Sequence, residues 1–424
     1  MSTPSQDQGT KAPVPPVMET QPEPVNPVSM GKTDIELEKI LSAYPQYFGK
    51  ILEKKDEYRV QIIYTRIDRQ ANNQPMFTDY RYNLNPDLYF YPASTVKMPT
   101  ALLALQRLQE LKIPGLDKHS AMITKAAYSG QNEVYNDPST TDGRPSIAHY
   151  IKKIFLVSDN DAYNRLYEFL GSEYINSKLS GMGYTSAQLI HRLERSLTED
   201  ENRHTNPVSF YDSTGKLLYD QPIQFNSQPY QPRKDFLGKA YYKGDQLIQG
   251  PMDFSKKNRL VLEDLHQIIR TIMFPQAVPE NQRFKISEED LRMVRKYMSQ
   301  FPGESQFPTY AGPDYWDAYC KFLYWGSEKK SIPKSFRIFN KVGDAYGFLI
   351  DAAYVVDFDK KIEFMLSAVI YCNSDGVLND SKYDYDSVGL PFMKHLGEVI
   401  YEQELMRKRA YIPDLSTFRF SYEK

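Results

Sequence analysis

Cysteine is scarce: the 424 residues contain two, Cys320 and Cys372. Two thiols build no disulfide framework and no zinc spacing, so they read as small buried side chains, with a single disulfide as the alternative. The six histidines show no HExxH-like pairing, so no metal and no organic cofactor is expected. Charge of one sign is also lacking. Lys and Arg total 52 against 54 Asp and Glu, a formal net charge of -2, and without a basic face nucleic acid is disfavoured as a partner. No apolar run approaches the ~18 residues of a membrane helix, and the N-terminus lacks the apolar core of a signal peptide. The chain therefore reads either as cytosolic or as a form whose signal has been removed.

What is there begins with proline. Residues 1–30 hold seven of the 28 prolines, and residues 1–32 read as an extended, disordered tether. A single domain is expected over 33–424. Thr33-x-x-Glu36 predicts a capping box at the first helix, and the β-branched and aromatic stretch Glu57–Asp68 predicts a strand. Helical spacing of Ala101, Leu102, Leu105, Leu108 and Leu111 predicts a helix from about Ser94 to Lys112, with further helices near 146–156, 161–170, 258–273, 288–299 and 389–409. Strands are expected at 336–342, 347–357 and 362–372. Strands thus lie at both chain ends and helices between them. That order predicts an α+β architecture: a five-stranded antiparallel sheet from both ends, with an all-helical lobe inserted over about 100–335. Within the lobe, about 208–255 reads as an insertion that opens with a β-hairpin.

Three short segments carry chemistry. In Ser94-Thr95-Val96-Lys97 the two polar residues share one helical face, so the lysine amine reaches the serine hydroxyl. A helix N-terminus there favours an alkoxide and a depressed lysine pKa, which turns the amine into a general base. Ser158-Asp159-Asn160 lies at a joint between two helices, next to the apolar run Ile154–Val157, where polar groups need partners. Lys341-Val342-Gly343 ends a strand, with a glycine that permits close approach. The aromatic segment containing Tyr310, Tyr315, Trp316, Tyr319, Tyr324 and Trp325 reads as core, or alternatively as one wall of a cleft.

In this order and context the three segments resemble the S-x-x-K, S-D-N and K-T-G set of class A β-lactamases and the related penicillin-binding proteins, over about residues 57–410. Arg192-Leu193-Glu194-Arg195-Ser196-Leu197-Thr198 is similar to that family's R-x-E-x-x-L-N loop, and Tyr128 to its cleft-edge tyrosine. The resemblance implies a serine hydrolase working through an acyl-enzyme, with β-lactams or peptidoglycan-like amides as small-molecule substrates. It implies Ser94, Lys97, Ser158, Glu194 and Lys341 as catalytic residues, and Asn160, Tyr128, Thr198, Gly343 and Asp344 as substrate-binding ones. It also implies export to the periplasm or cell surface, with the N-terminus as a membrane tether. Two positions depart from the pattern. Thr198 stands where the family has asparagine, and Val342 where it has a hydroxyl residue that serves the substrate carboxylate. A missing aspartate partner for Arg192 leaves Asp200 or Glu201 as substitutes. A peptidase, amidase or esterase of the same fold, and a non-catalytic binding module, are the rival readings.

Overall fold

The computed structural model describes residues 31–310 and 312–423. Most of the expected tether, residues 1–30, lies outside the described residues. Lys32, counted with the tether, is part of the fold: it exchanges backbone hydrogen bonds of 2.8 and 2.9 Å with Leu84. Two short helices follow, α1 (Ile35–Ser42) and α2 (Pro45–Glu53). The capping box expected at Thr33 does not form. Thr33 Oγ1 accepts from the Asn83 N–H at 2.9 Å and Asp34 Oδ2 from the Arg81 N–H at 2.8 Å. Backbone donors that would otherwise go unpaired thus take both side chains, and local helix-capping propensity loses.

The first hairpin is β1 (Gln61–Arg69) and β2 (Pro75–Tyr82). A 3-10 turn, Ala93–Val96, then leads into α3 (Lys97–Leu111), so the α-helix starts at Lys97 and not at Ser94. The central lobe continues with β3 (Ala121–Thr124), α4 (Ile147–Val157), α5 (Asn160–Leu170), α6 (Ser172–Gly181) and the short α7 (Glu199–Arg203). Helix α3 is buried almost all round, as an apolar helix must be, and packs against α4 and α5.

The lobe is not all-helical. Hairpin β4 (Val208–Tyr211) and β5 (Leu217–Gln221) adds to β3, making a three-stranded sheet. Short strands β6 (Phe236–Leu237), β7 (Ala240–Lys243), β8 (Gln246–Gln249) and β9 (Met252–Asp253) then fold back on one another. Alternation over so few residues, with mixed polar content, gave little sign of them. Helices α8 (Leu262–Met273) and α9 (Glu288–Ser299) follow, the second capped by Ser287, whose Oγ accepts from the Asp290 N–H at 3.0 Å.

Strands β10 (Phe336–Ala345), β11 (Phe348–Asp357) and β12 (Ile362–Tyr371) return the chain to the sheet. The order is β10-β11-β12-β1-β2, antiparallel throughout, so both chain ends build it, as the patterning implies. After β12, the two-residue β13 (Val377–Leu378) pairs in parallel with β7, tying the insertion to the sheet's own loops; α10 (Leu390–Met406) closes the fold. Side chains alternate across each strand. Ile338, Val342, Ala353 and Leu366 face α1, α2 and α10, whereas Phe339, Tyr354 and Met365 face α8 and the lobe. Cys320 and Cys372 are buried and free, which removes the disulfide alternative. Among the described residues no helix is long and apolar enough to cross a membrane.

Candidate active site

Ser94 sits half-buried in the 3-10 turn, immediately before the first turn of α3. Ala93 before it takes a left-handed φ of 47°, which costs a non-glycine residue energy and bends the chain sharply from Pro92 into the turn. Thr95 fastens the bend: its N–H and its hydroxyl both donate to Pro92 O, at 3.1 and 2.6 Å. Strand β10 lies directly against this turn, and Gly343 is the point of contact. A Cβ at Gly343 would stand 2.8 Å from Pro92 O and 3.1 Å from Ser94 N. The glycine therefore makes room for the serine turn's backbone.

Lys97 is fully buried. Its Nζ donates to the backbone oxygen of Ser158 and, at 2.5 Å, to Asn160 Oδ1, with Ser158 Oγ at 3.4 Å. Burial, and then the charge of Lys341, push its pKa well below that of an ordinary lysine, with Asp159 opposing. A neutral amine has two hydrogens and one lone pair. The two carbonyl-type acceptors use the hydrogens, leaving the lone pair for a hydroxyl proton. Ser158 supplies this geometry from a left-handed φ of 59° at the end of α4, which turns both its oxygen atoms towards the lysines. Lys341, also buried, donates to Ser158 Oγ and to Val342 O, both at 2.8 Å, and desolvation lowers its pKa to about 8. Asp159 caps α5 through the Ala162 N–H at 2.8 Å, so this joint is a helix cap and a polar junction at once.

Glu194 lies on a separate loop, exposed, with a left-handed φ of 51°. Neither Asp200 nor Glu201 gives Arg192 its carboxylate. Glu168, buried on α5, does, with Nε to Oε1 at 2.8 Å; Glu201 offers only its backbone oxygen, at 3.2 Å. Asn164, also from α5, brackets the Leu193 backbone at 2.8 and 2.9 Å, so α5 positions the whole loop. Thr198 is not brought to the site. It caps α7 in a reciprocal capping box with Glu201 and is exposed. Tyr128 is likewise elsewhere: it stacks on His204 at 3.7 Å and its hydroxyl donates to Asp200 at 2.5 Å. Val342 points into the core beneath the sheet, so its missing hydroxyl would not have faced the site.

A cavity of about 490 Å³ opens over Ser94, with Asn160, Glu194 and Asp344 in its wall. Asp344 follows Gly343, and desolvation raises its pKa; Lys341 and Lys97 lower it and Glu194 raises it further. The sequence offered no sign of the aromatic wall. Tyr346 and Gly347, with φ of 52° and 83°, make the two-residue turn of the β10–β11 hairpin, a conformation that favours Gly or Asn. The strained tyrosine packs edge-on against Tyr91 at 5.0 Å and Phe254 at 5.1 Å. Phe254 comes from the insertion, which thus backs the cavity. The Trp316–Trp325 aromatics instead pack the core between the sheet and α10, around Phe336 and Tyr401. No group of three His, Cys, Asp or Glu that could hold a metal occurs among the described residues.

Residues 48–221 match the model of the beta-lactamase enzyme family. No curated protein matches the chain. Among solved structures, a class A beta-lactamase from Clostridium kluyveri is similar at 14% identity, covering 84% of this chain and 98% of its own, with a TM-score of 0.45. A beta-lactamase from Sphaerobacter thermophilus is similar at 11% identity, covering 89% and 100%, with a TM-score of 0.47. One from Xanthomonas campestris shares 12% identity over 85% and 98%, with a TM-score of 0.46.

Proposed function

We propose that the protein, whose residues 48–221 match the beta-lactamase enzyme family, is a serine hydrolase that opens amide bonds, β-lactams among them, through an acyl-enzyme on Ser94. The observation that carries this reading is the buried Lys97, lowered in pKa and hydrogen-bonded so as to leave a lone pair, three residues along one helical turn from the hydroxyl it would activate.

Ser94 Oγ attacks the substrate carbonyl carbon while its proton passes to Lys97 Nζ. Backbone N–H groups of Ser94 and Asp344 receive the oxyanion. As the tetrahedral intermediate collapses, the C–N bond breaks and the proton travels from Lys97 through Ser158 Oγ to the leaving nitrogen. Lys341 holds positive charge beside that hydroxyl. Glu194 then takes a proton from water, whose oxygen attacks the ester carbonyl; as the acyl C–O bond breaks, that proton passes from Glu194 to Ser94 Oγ, which releases the acid and restores both groups.

Mass spectrometry of the intact protein after exposure to penicillins, cephalosporins and penems tests the reading. An adduct is expected in wild type and none in Ser94→Ala; an adduct that survives in Ser94→Ala would refute it. In Glu194→Gln the acyl-enzyme should form at the wild-type rate and persist far longer. Equal lifetimes would make Glu194 a loop residue only. A second reading, an amidase or peptidase of the same fold, is favoured by the acidic residue Asp344 in the cavity wall, where an anionic substrate would be repelled.

A further inference from the structure

The cavity over Ser94 carries a charge pattern that bears on its substrate. Among the described residues its wall contains two carboxylates, Glu194 and Asp344, and no Lys, Arg or His. Two lysines stand behind the wall: Lys97, the proposed base, is held by Ser158 and Asn160, and Lys341 by Ser158 and Val342; they pull the Asp344 pKa down without offsetting the burial that raises it. Neither Glu194 nor Asp344 has a hydrogen-bonded or ion-paired side-chain partner among the described residues. An unpaired carboxylate in a partly desolvated wall is costly, and an incoming cation relieves that cost.

The remaining surface fits the same ligand. Tyr91, Tyr346 and Tyr383 line the cavity, and the negative face of a tyrosine ring attracts ammonium and guanidinium groups. Asn379 and Ser381 add neutral polar groups from the loop after β12. That loop is braced by the insertion, since Asn379 Nδ2 donates to Tyr242 O at 3.0 Å and Lys239 N–H to Gly376 O at 2.8 Å. The wall is therefore a built surface drawn from five separate segments of the chain.

We propose that this cavity selects substrates bearing a cationic group, an amine or guanidine, close to the carbonyl that Ser94 attacks, with Asp344 as the specificity-determining residue. The assignment rests on the reading of the cavity as the Ser94 acyl-transfer site. Two carboxylates a few Å from a bound charge give Coulomb energies of kcal/mol order even under strong screening, enough for a discrimination of about tenfold or more.

Three p-nitroanilides of equal chain length, each with its terminal group close to the carbonyl, provide the test: 3-aminopropanoyl, butanoyl and 3-carboxypropanoyl. Their binding to full-length Ser94→Ala is measured by calorimetry at low and at physiological salt, and their cleavage by wild type is followed separately. The ammonium compound should bind about tenfold or more tightly than the carboxylate compound, with the neutral one between. Adding Asp344→Asn, which keeps the backbone N–H, should shrink that ratio at least about threefold. Equal affinities, a reversed order, absence of binding by all three, or a ratio unchanged in Asp344→Asn would overturn the proposal. Charge-ordered binding without cleavage or acylation by wild type would instead leave the selectivity standing and defeat the hydrolase reading.

Discussion

Arg192 and Glu168 form a buried ion pair, Nε to Oε1 2.8 Å, that fastens the Glu194 loop to helix α5. Glu168 also receives Arg165, at 3.1 Å, so one carboxylate neutralises two buried guanidiniums. Burial opposes the arrangement: it raises the Glu168 pKa although both arginines pull it down. Removing the shared partner leaves Arg192 without a carboxylate and Arg165 with only the exposed Asp161, at 3.6 Å. Glu168→Ala should therefore lose about 3–5 kcal/mol in urea unfolding, the range for breaking a buried pair. Partial rescue is expected in Glu168→Gln, which keeps acceptor oxygen but not charge. Destabilisation below about 1 kcal/mol in the alanine variant, the range of surface pairs, would show that the loop is held by its backbone contacts alone.

Gly343 touches the nucleophile turn, and its φ lies outside the left-handed region, so the cost of a side chain there is purely contact. In Gly343→Ala the Cβ would meet backbone atoms of Pro92 and Ser94, which cannot rotate away. We expect a stability loss of about 1–3 kcal/mol, typical of overpacking. Acylation should fall further, about 100-fold, because displacing Ser94 by ~1 Å misaligns the attacking oxygen. Rapid-quench acylation beside thermal unfolding separates the two effects; equal acylation rates in the two proteins would contradict the expectation.

The joint at Ser158-Asp159-Asn160 was legible because its local signals agree: Asp159 is an ordinary helix cap, and the apolar run before it marks burial. The strands after Phe336 were legible for the same reason, since β-branched and aromatic residues repeat without interruption. Partners fixed by tertiary contact left no such trace. Glu168 reads locally as an i,i+3 partner of Arg165 on a helix surface, and nothing in the sequence says that this face is buried. Thr198 followed the resemblance and lost to the capping box three residues ahead. The pairing of β13 with β7 joins segments more than a hundred residues apart through two-residue strands, too short for any periodicity. Tyr346 is a similar case, because residue type argues against a left-handed turn there and only the packing of Tyr91 and Phe254 explains it.

The activity should show a falling alkaline limb. Lys341 carries an ammonium below its pKa of about 8 and a neutral amine above it, and only the charged form supports the field at Ser158. On the acid side, Lys97 must be neutral to act as base, so its lowered pKa sets the rising limb. A kcat/KM profile from pH 5 to 10 should therefore be bell-shaped, with its fall near pH 8. Lys341→Arg keeps its charge over this range and should move the fall upward at reduced overall rate. A wild-type profile level to pH 10 would remove Lys341 from the acylation step.

His191 links stability to pH beside the same loop. Its Nε2 accepts from the Asn258 N–H at 3.1 Å, so the proton sits on Nδ1, which donates to Arg192 O at 2.7 Å. The half-buried ring lies parallel to Tyr91, and desolvation lowers its pKa to about 4; the nearby charge of Lys257 also disfavours a second proton. A proton on Nε2 would also set two donors face to face. Above pH ~6.5 the ring is neutral in the folded and unfolded chain, and its contribution to stability is complete. Between ~6.5 and 4 the unfolded chain takes up a proton that the folded one refuses, so stability falls as pH falls, by up to about 3 kcal/mol. Below 4 both states bind the proton and the loss stops growing. In His191→Gln the hydrogen bonds are weakened at every pH but the refused proton is gone. The stability advantage of wild type over this variant should therefore be largest at pH 8 and shrink by about 2–3 kcal/mol at pH 4.5, by urea unfolding at each pH. An advantage that stays constant across that interval would mean that His191 protonates in the folded chain as easily as in the unfolded one, and that the Asn258 contact yields to it.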